Sequence, residues 1–354
     1  MSAPQRQLFC SKPFTWFEVS RGKEEGDVFL CCPSWLDVSV ANLNEQSVEE
    51  AWNGPVAQDI RRSILEGTFE YCNAQRCPFL HDASGPVQYV DQVTDSLMQE
   101  VIRNGLTVLP FGPRDVNCSY DRSCNLWCPS CRTQMLTESR NSARILNIQQ
   151  KINDHALKDA KLLYITGSGD PFGSPFFRTW LHNMKRADMP KLETLHLHTN
   201  AMLWTPRMWD PIPPDVRALI TTAEISIDAA SAPTYETNRR GGKWAVLLEN
   251  LEFVKSLREQ GPLKWLGFSM VVQDNNIDEM ADFVRLGRRF AADTVYFSQI
   301  VNWGTFSDAE FRARAVHRPD HRRHAALRQV LRDPIFDDPR VVLGNLLPFR
   351  QAAS

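Results

Sequence analysis

Cys124-Asn-Leu-Trp-Cys128-Pro-Ser-Cys131 follows almost directly on Val116-Asn-Cys-Ser-Tyr-Asp121, a short stretch that reads as a β-strand. The pair places three thiols, spaced Cys-x3-Cys-x2-Cys, on a loop at a strand's carboxyl end. Three thiolates can hold three irons of a cubane and leave the fourth iron open. Chemistry at a cluster requires that opening, because a substrate or cofactor must chelate there; four protein ligands suit electron transfer alone. The alternative is a zinc knuckle built on Cys128 and Cys131 with Cys118 or Cys124. Zinc wants a closed tetrahedral set and makes no demand on the rest of the chain.

The rest of the chain answers with a repeating pattern. After Val116–Asp121 come strand signals at Lys161–Thr166, Leu192–Asn200, Leu219–Asp228, Trp265–Gln273 and Thr294–Val301. Helical stretches separate them at Ala143–Ile152, Phe176–Lys185, Trp244–Leu257 and Ile277–Phe290. Strands alternating with helices imply a parallel sheet, so the expected class is α/β and the expected architecture a partial (β/α)6 barrel. Ligands in such folds gather at the carboxyl ends of the strands.

Upstream, residues 1–95 read as a small loop-rich domain with one clear helix. It begins at the capping box Ser47-x-x-Glu50 and ends near Gly67, with Val48, Ala51, Trp52, Ile60, Ile64 and Leu65 on its apolar face. Residues 96–110 are the expected connector, 111–310 the barrel and 311–354 a helical extension.

Composition narrows the class further. The 40 basic and 42 acidic residues nearly cancel, which removes the positive field that nucleic-acid binders use. No run of eighteen apolar residues and no signal-peptide pattern is present, so the expectation is a cytoplasmic protein that binds neither membrane nor nucleic acid. All nine cysteines fall between positions 10 and 131. In a reducing compartment, metal ligation explains them better than disulfides.

The segment Ser119-Tyr-Asp-Arg-Ser-Cys-Asn-Leu-Trp-Cys-Pro-Ser-Cys-Arg132 resembles the radical S-adenosylmethionine (SAM) superfamily, and the resemblance extends over roughly 110–310. It implies a [4Fe-4S] cluster on Cys124, Cys128 and Cys131, with SAM chelating the open iron. An electron from a donor such as flavodoxin or ferredoxin then cleaves the sulfonium, and the 5′-deoxyadenosyl radical takes hydrogen from an unactivated carbon.

Further motifs match in order. Gly167-Ser168-Gly169-Asp170-Pro171 resembles the turn that takes the methionine amino group, Ser226-Ile-Asp228 the ribose contacts, and Asn200 and Gln273 positions near the cofactor. His196 reads as a satisfied core residue. Trp303 and Gly304 are expected to line adenine or substrate.

Cys10, Gly26, Cys31 and the pair Cys72-x4-Cys77-Pro resemble the SPASM or twitch auxiliary-cluster domains of radical enzymes that act on peptides and other large substrates. The resemblance implies a second [4Fe-4S] cluster on Cys10, Cys31, Cys72 and Cys77, with Cys32 as the alternative to Cys31; a structural zinc is the competing reading. The familiar order is reversed here, since this domain precedes the barrel.

Cys32 and Cys118 are left over. Cys118, on the first barrel strand, is a candidate hydrogen donor for an epimerisation, or else a small core residue. The chain also resembles radical sugar epimerases such as that of avilamycin assembly, which implies a sugar-containing natural product as substrate. The alternatives are a maturase of ribosomal peptides and a non-catalytic metal-binding protein. Tyr235, Arg239, Arg240, Gly241, Gly242 and Trp244 read as a flexible substrate loop. The Arg- and His-rich stretch Arg312–Arg332 reads as a solvated helix face or an anion site.

Overall fold

The structure is a computed structural model describing residues 6–21, 23–138 and 142–351. Twelve strands are found among these: β1 Leu8–Cys10, β2 Trp16–Arg21, β3 Glu25–Phe29, β4 Ala41–Asn42, β5 Val87–Tyr89, β6 Asp115–Cys118, β7 Leu162–Ile165, β8 Thr194–Thr199, β9 Thr222–Ser226, β10 Trp265–Val272, β11 Thr294–Gln299 and β12 Val341–Val342. The chain divides into two compact units. One comprises Met1–Asp121, Ser139–Ser168 and Lys185–Leu195; the other Arg122–Glu138, Gly169–Met184 and His196–Ser354.

In the first unit β6 pairs in parallel with β7, Cys118 lying opposite Ile165. On its other side β6 pairs, also in parallel, with β2, where Glu18 faces Asn117 and Val19 faces Cys118. β3 and β4 continue antiparallel from β2, and β1 pairs separately with β5. The segment expected to be loop-rich therefore contributes a strand directly to the α/β sheet. The unit that holds the N-terminal cysteines runs on to residue 121 rather than closing near 95. Lys151, on the helix Ala143–Asp154, donates to the carbonyls of Leu43 and Gln46 at 2.7 and 2.8 Å and ties that helix to the N-terminal part of the same unit.

The second unit carries β8, β9, β10, β11 and β12, each parallel to the next. Apolar residues at helical spacing put Leu247, Leu251, Val254 and Leu257 of the helix Trp244–Glu259 inside. Each such side chain contributes about 1.5–3 kcal/mol on burial. Phe268, Phe283, Phe297 and Phe336 form a chain of ring contacts 5.7–6.5 Å apart under β10 and β11. The six strands expected of a partial barrel are all present, each starting or ending within a few residues of its expected place. β2 and β12 add parallel pairings that the sequence did not lead us to expect.

The helix expected over 47–67 is broken in two, Val48–Asn53 and Pro55–Leu65. Gly54 is extended (ψ 168°) because the ring of Pro55 disfavours helical backbone in the residue before it. Both end signals are present: Ser47 and Glu50 form the reciprocal capping box, and Gly67 is left-handed at φ 75°.

The second helix is anchored by a fully buried arginine. Arg61 donates through Nε to the Pro13 carbonyl (2.9 Å) and through Nη1 to Asn53 Oδ1 (3.1 Å) and the Thr107 carbonyl (2.9 Å), and it stacks on Trp52 at 4.4 Å. Burial pulls its pKa down to about 9. Arg61→Ala takes a donor from the Pro13 and Thr107 carbonyls, leaves Asn53 Oδ1 with the Leu109 amide alone and removes a buried side chain from Trp52, so a stability loss of about 2–4 kcal/mol is expected. A melting temperature indistinguishable from that of the parent chain would contradict this anchoring role.

Candidate functional site

The three-cysteine loop lies within the second unit. Its conformation is fixed by backbone bonds: Cys124 N–H donates to the Leu136 carbonyl (2.9 Å), Cys131 and Arg132 N–H both donate to the Cys128 carbonyl (2.9 Å), and Asp170 N–H donates to the Ser123 carbonyl (3.0 Å). Cys124 and Cys128 are buried and Cys131 is exposed.

Every one of the three sulfurs receives at least one N–H. Cys124 Sγ takes the Leu126 amide (3.4 Å) and Asn200 Nδ2 (3.6 Å). Cys128 Sγ takes Arg239 Nη1 (3.7 Å) and Cys131 Sγ takes Arg132 Nη2 (3.4 Å). Donors and two guanidinium groups aimed at sulfur suit thiolates far better than neutral thiols, which are weak acceptors.

In the protein alone, burial, reinforced by the Asp170 carboxylate, pushes Cys124 up to about 12. Burial also raises Cys128, against the pull of Arg239. A metal that binds such thiols must displace their protons and brings the positive charge that compensates for doing so. Among the described residues no three His, Cys, Asp or Glu side chains converge closely enough to hold a single metal ion. A cubane asks for something different, one sulfur at each of three iron corners. The donor set of Cys124, Cys128 and Cys131 fits that group.

Arg239 is largely covered and spans two partners. Its Nη2 lies 2.8 Å from Asp228 Oδ2 while Nη1 addresses Cys128. Burial raises the Asp228 carboxyl, and Arg239 and the Val271 amide, at 2.7 Å, oppose that rise. The segment expected to be a flexible substrate loop is instead a packed support. Tyr235 is buried and Arg239 largely covered, and the Arg240 carbonyl accepts from Trp127 N–H at 3.0 Å. Gly241 sits at φ 91° with a would-be Cβ only 2.6 Å from the Trp127 ring, so no side chain fits there.

The other residues singled out in the sequence lie at strand ends. In the first unit, Thr166 just after β7 is left-handed (φ 67°), and Ser168 Oγ donates to the Ser119 carbonyl at 2.5 Å; Gly167 has only Ser119 Oγ near a would-be Cβ. In the second unit, Gly169 leads into Asp170, whose carboxylate accepts from Phe172 and Gly173 amides (3.0 and 2.8 Å), Thr199 Oγ1 (2.7 Å) and the Asn200 amide (2.9 Å). Both its oxygens are thus engaged by the protein.

Asn200 turns its Nδ2 to Cys124 and Asn125 Oδ1. Ser226 Oγ lies 2.9 Å from His198 Nε2. Gln273 is buried, its Oε1 accepting from Arg314 Nη1 at 3.2 Å. Ala201 (φ 59°) and Asp228 (φ 63°) are left-handed just past β8 and β9. Backbone conformations of this kind cost energy in non-glycine residues and concentrate at functional sites.

The basic C-terminal stretch is partly a solvated face, with Arg312 and Arg322 exposed, and partly packed on its neighbours. Arg322 reaches Asp274 at 3.2 Å, Arg323 donates to the Asp274 carbonyl (2.8 Å) and to both oxygens of Asp278 (2.7 Å), and His321 lies 3.7 Å from Asp274. Together with Arg314 these side chains clamp the loop that follows β10.

In the first unit Cys10 ends β1, Cys31 and Cys32 follow β3, and Cys72 and Cys77 occupy one loop. Asn73 N–H donates to the Trp35 carbonyl (2.7 Å) and Trp35 N–H to the Cys32 carbonyl (2.9 Å), joining the last two segments. Burial pushes Cys10 up to about 12, and the nearby Cys72 and Cys77 raise it further. Cys72 is pushed to about 11 by burial and then by Cys77. Cys31 is raised by burial and next by Cys10. Cys32 differs, for its sulfur is engaged by the Ser34 amide and side chain. Cys118 is fully buried, and burial raises its thiol.

Residues 10–78 match the SPASM family, described as an iron–sulfur cluster-binding domain. No curated protein sequence matches the chain. Solved structures similar to it include TYW1 with a lysine–pyruvate adduct bound (15% identity, TM-score 0.40, covering 61% of this chain and 70% of that one). Two others are SuiB of Streptococcus suis bound to its precursor peptide SuiA (14%, 0.41, 78% and 62%) and anSMEcpe with bound AdoMet (16%, 0.41, 54% and 52%). The chain thus spans only about half to two-thirds of the length of most of these structures.

Sequence reasoning missed Arg132 and Arg239 as partners of sulfur. Arg132 had a signal in its place directly after Cys131; Arg239 stands 111 positions from Cys128 and had none.

Two outcomes follow. Gly241→Ala should push Trp127 and its loop aside, and iron bound per reconstituted chain should fall toward the amount held by the N-terminal site; unchanged iron would contradict the support role. His196, whose Nδ1 lies 2.9 Å from Thr222 Oγ1, is held down to about 4, chiefly by burial. It is neutral in the folded chain, whereas an unfolded histidine charges near 6.5. Its contribution is therefore complete above about pH 6.5 and is lost as pH falls toward 4, up to about 3 kcal/mol. Melting temperatures between pH 7 and 5 should drop less steeply for His196→Gln than for the parent chain.

Proposed function

We propose that the chain is a radical SAM enzyme that holds one [4Fe-4S] cluster on Cys124, Cys128 and Cys131 and a second on Cys10, Cys31, Cys72 and Cys77. The observation that carries this reading is the set of N–H donors, two of them from arginines, aimed at all three loop sulfurs. For the N-terminal site the support is the SPASM match over residues 10–78.

When bound, the first cluster and SAM supply an electron and, from the sulfonium, a 5′-deoxyadenosyl radical that removes hydrogen from a substrate carbon; the electron comes from a flavodoxin- or ferredoxin-like donor. The chain's own residues do the holding. Arg239 and Arg132 compensate thiolate charge, Asn200 steadies Cys124, and Asp170 locks the turn after Gly169 to the end of β8. Within the second unit the residues proposed to face SAM are Gly169, Asp170, Asn200, Ser226, Asp228 and Gln273.

The substrate proposed is a sugar-containing natural product that the enzyme epimerises, a reading that rests on the resemblance of the barrel sequence. Cys118 is the proposed hydrogen donor, because full burial keeps its thiol protonated, the form from which a hydrogen atom can be given. A second reading, maturation of a peptide, is favoured by the SPASM match. Among the described residues no helix is long and apolar enough to cross a membrane.

Reconstituted protein with SAM and dithionite should release 5′-deoxyadenosine, and Cys124→Ala, Cys128→Ala or Cys131→Ala should abolish that release. A parent chain that binds iron yet never cleaves SAM is a non-catalytic metal protein, and the proposal then fails. Once a substrate is found, deuterium from solvent at the reacting carbon supports epimerisation with a thiol donor, and its loss in Cys118→Ala assigns the donor.

A further inference from the structure

We infer that Lys12 is a positioning charge for the N-terminal cysteine site: its ammonium, fixed on the face of Trp16 beside Cys10 and Cys31, raises the reduction potential of the cluster those cysteines hold. The inference rests on the assignment of a cluster to that site.

Lys12 opens the short helix Lys12–Thr15 two residues after Cys10. Its Nζ lies 3.3 Å from the centroid of the Trp16 ring, a cation–π contact that holds the ammonium in one place. Trp16 is itself held on several sides. It is nearly buried on β2, pairs with Asp115 of β6, packs against Tyr164 at 5.2 Å and donates from Nε1 to Glu18 Oε2 at 3.2 Å.

Burial pulls Lys12 below the usual lysine value, and Asp115, Cys31, Cys10 and Glu18 oppose that fall and favour its charged form. The two carboxylates are shared with other donors. Glu18 accepts from Trp16 and Asn117, while Asp115 accepts from Thr15 and feels Arg114 as well as Lys12. The backbone of Lys12 takes part too, because its amide donates to the Cys10 sulfur. One residue thus addresses the cysteine site with both its amide and its charge.

The consequence is electrostatic. A thiolate-ligated cluster becomes more negative by one charge when it takes up an electron, and a fixed cation in a poorly screened interior favours that state. Net charge, hydrogen bonds to sulfur and solvent exposure are the means by which a protein sets a cluster's potential. Lys12 supplies the first and, through its amide, part of the second.

The test isolates the N-terminal site in the full-length chain carrying Cys124→Ala, Cys128→Ala and Cys131→Ala. The one-electron reduction of the remaining cluster by dithionite is titrated and followed by electron paramagnetic resonance. Adding Lys12→Met should move the midpoint to a more negative potential, and Lys12→Arg should leave it near the parent value. An unchanged midpoint in Lys12→Met with full iron content overturns the inference. Should Lys12→Met lose its iron, Lys12→Arg decides: retention of iron and potential supports the charge, while equal loss shows a packing role and overturns it. A triple variant that binds no iron with Lys12 intact removes the cluster assignment itself, and the inference with it.

Discussion

The candidate centre depends on one constraint, that three sulfurs, two of them buried, must carry negative charge together. Buried thiols resist ionisation, as the upward displacement of Cys124 and Cys128 shows. What reconciles burial with charge is the ring of donors, and Arg239 is its centre because it serves two anions together, Cys128 and Asp228. A guanidinium suits this task better than an ammonium, since its planar fork addresses two acceptors at fixed angles and never loses its proton. Leaving either anion without it would strand a charge or a polar group in the interior, where the penalty for an unmade bond exceeds the gain from a made one.

That requirement propagates into the backbone. Arg239 can lie against Cys128 only if the chain after it comes close to the cysteine loop, and the Gly241–Gly242 pair permits this. Beyond Gly241 and its clash with Trp127, a Cβ on Gly242 would sit 2.8 Å from the ring of Tyr235. Asp228 reaches Arg239 from a left-handed residue two positions past β9, and Ala201 stands in the same relation to β8. Such conformations persist where the surroundings over-determine them, and here those surroundings are specific bonds: Asn238 and Asn276 both donate to the Asp228 carbonyl at 3.0 Å. Strain at the strand ends and charge compensation at sulfur belong to one arrangement.

The barrel strands were legible because their alternation of apolar and polar residues is long and bounded by turns, as in Thr194–Thr199 and Trp265–Val272. The N-terminal hairpin was not. Its strands carry Glu18, Glu25 and Asp27 among the apolar residues, and the buried Glu18 is tolerated only because Trp16 and Asn117 bond to it, a circumstance no local pattern announces. The break at Pro55 had its signal in plain view, but the capping box at one end and Gly67 at the other suggested a single helix between them. β12 is two residues long, and pairing with β11 rather than any strand pattern creates it. Among site residues the cysteines declared themselves by spacing, whereas the arginine that serves Cys128 is joined to it only by the fold.

The parallel pairing of β2 with β6 changes the meaning of the N-terminal cysteines. A small domain stapled by metal and tethered by a linker would gain order for itself alone. Here the cysteine segment runs directly into the sheet: β2 begins with Trp16, against which Lys12 rests, and Lys12 lies two residues past Cys10. β2 in turn sets Glu18 and Val19 against Asn117 and Cys118 of β6. A one-residue slip of β2 would turn Glu18 away from its partners and expose Phe17 and Val19, so the register is held by polar and apolar terms alike. The N-terminal segment is thus built into the sheet of its own unit, and it shares the constraints of that sheet.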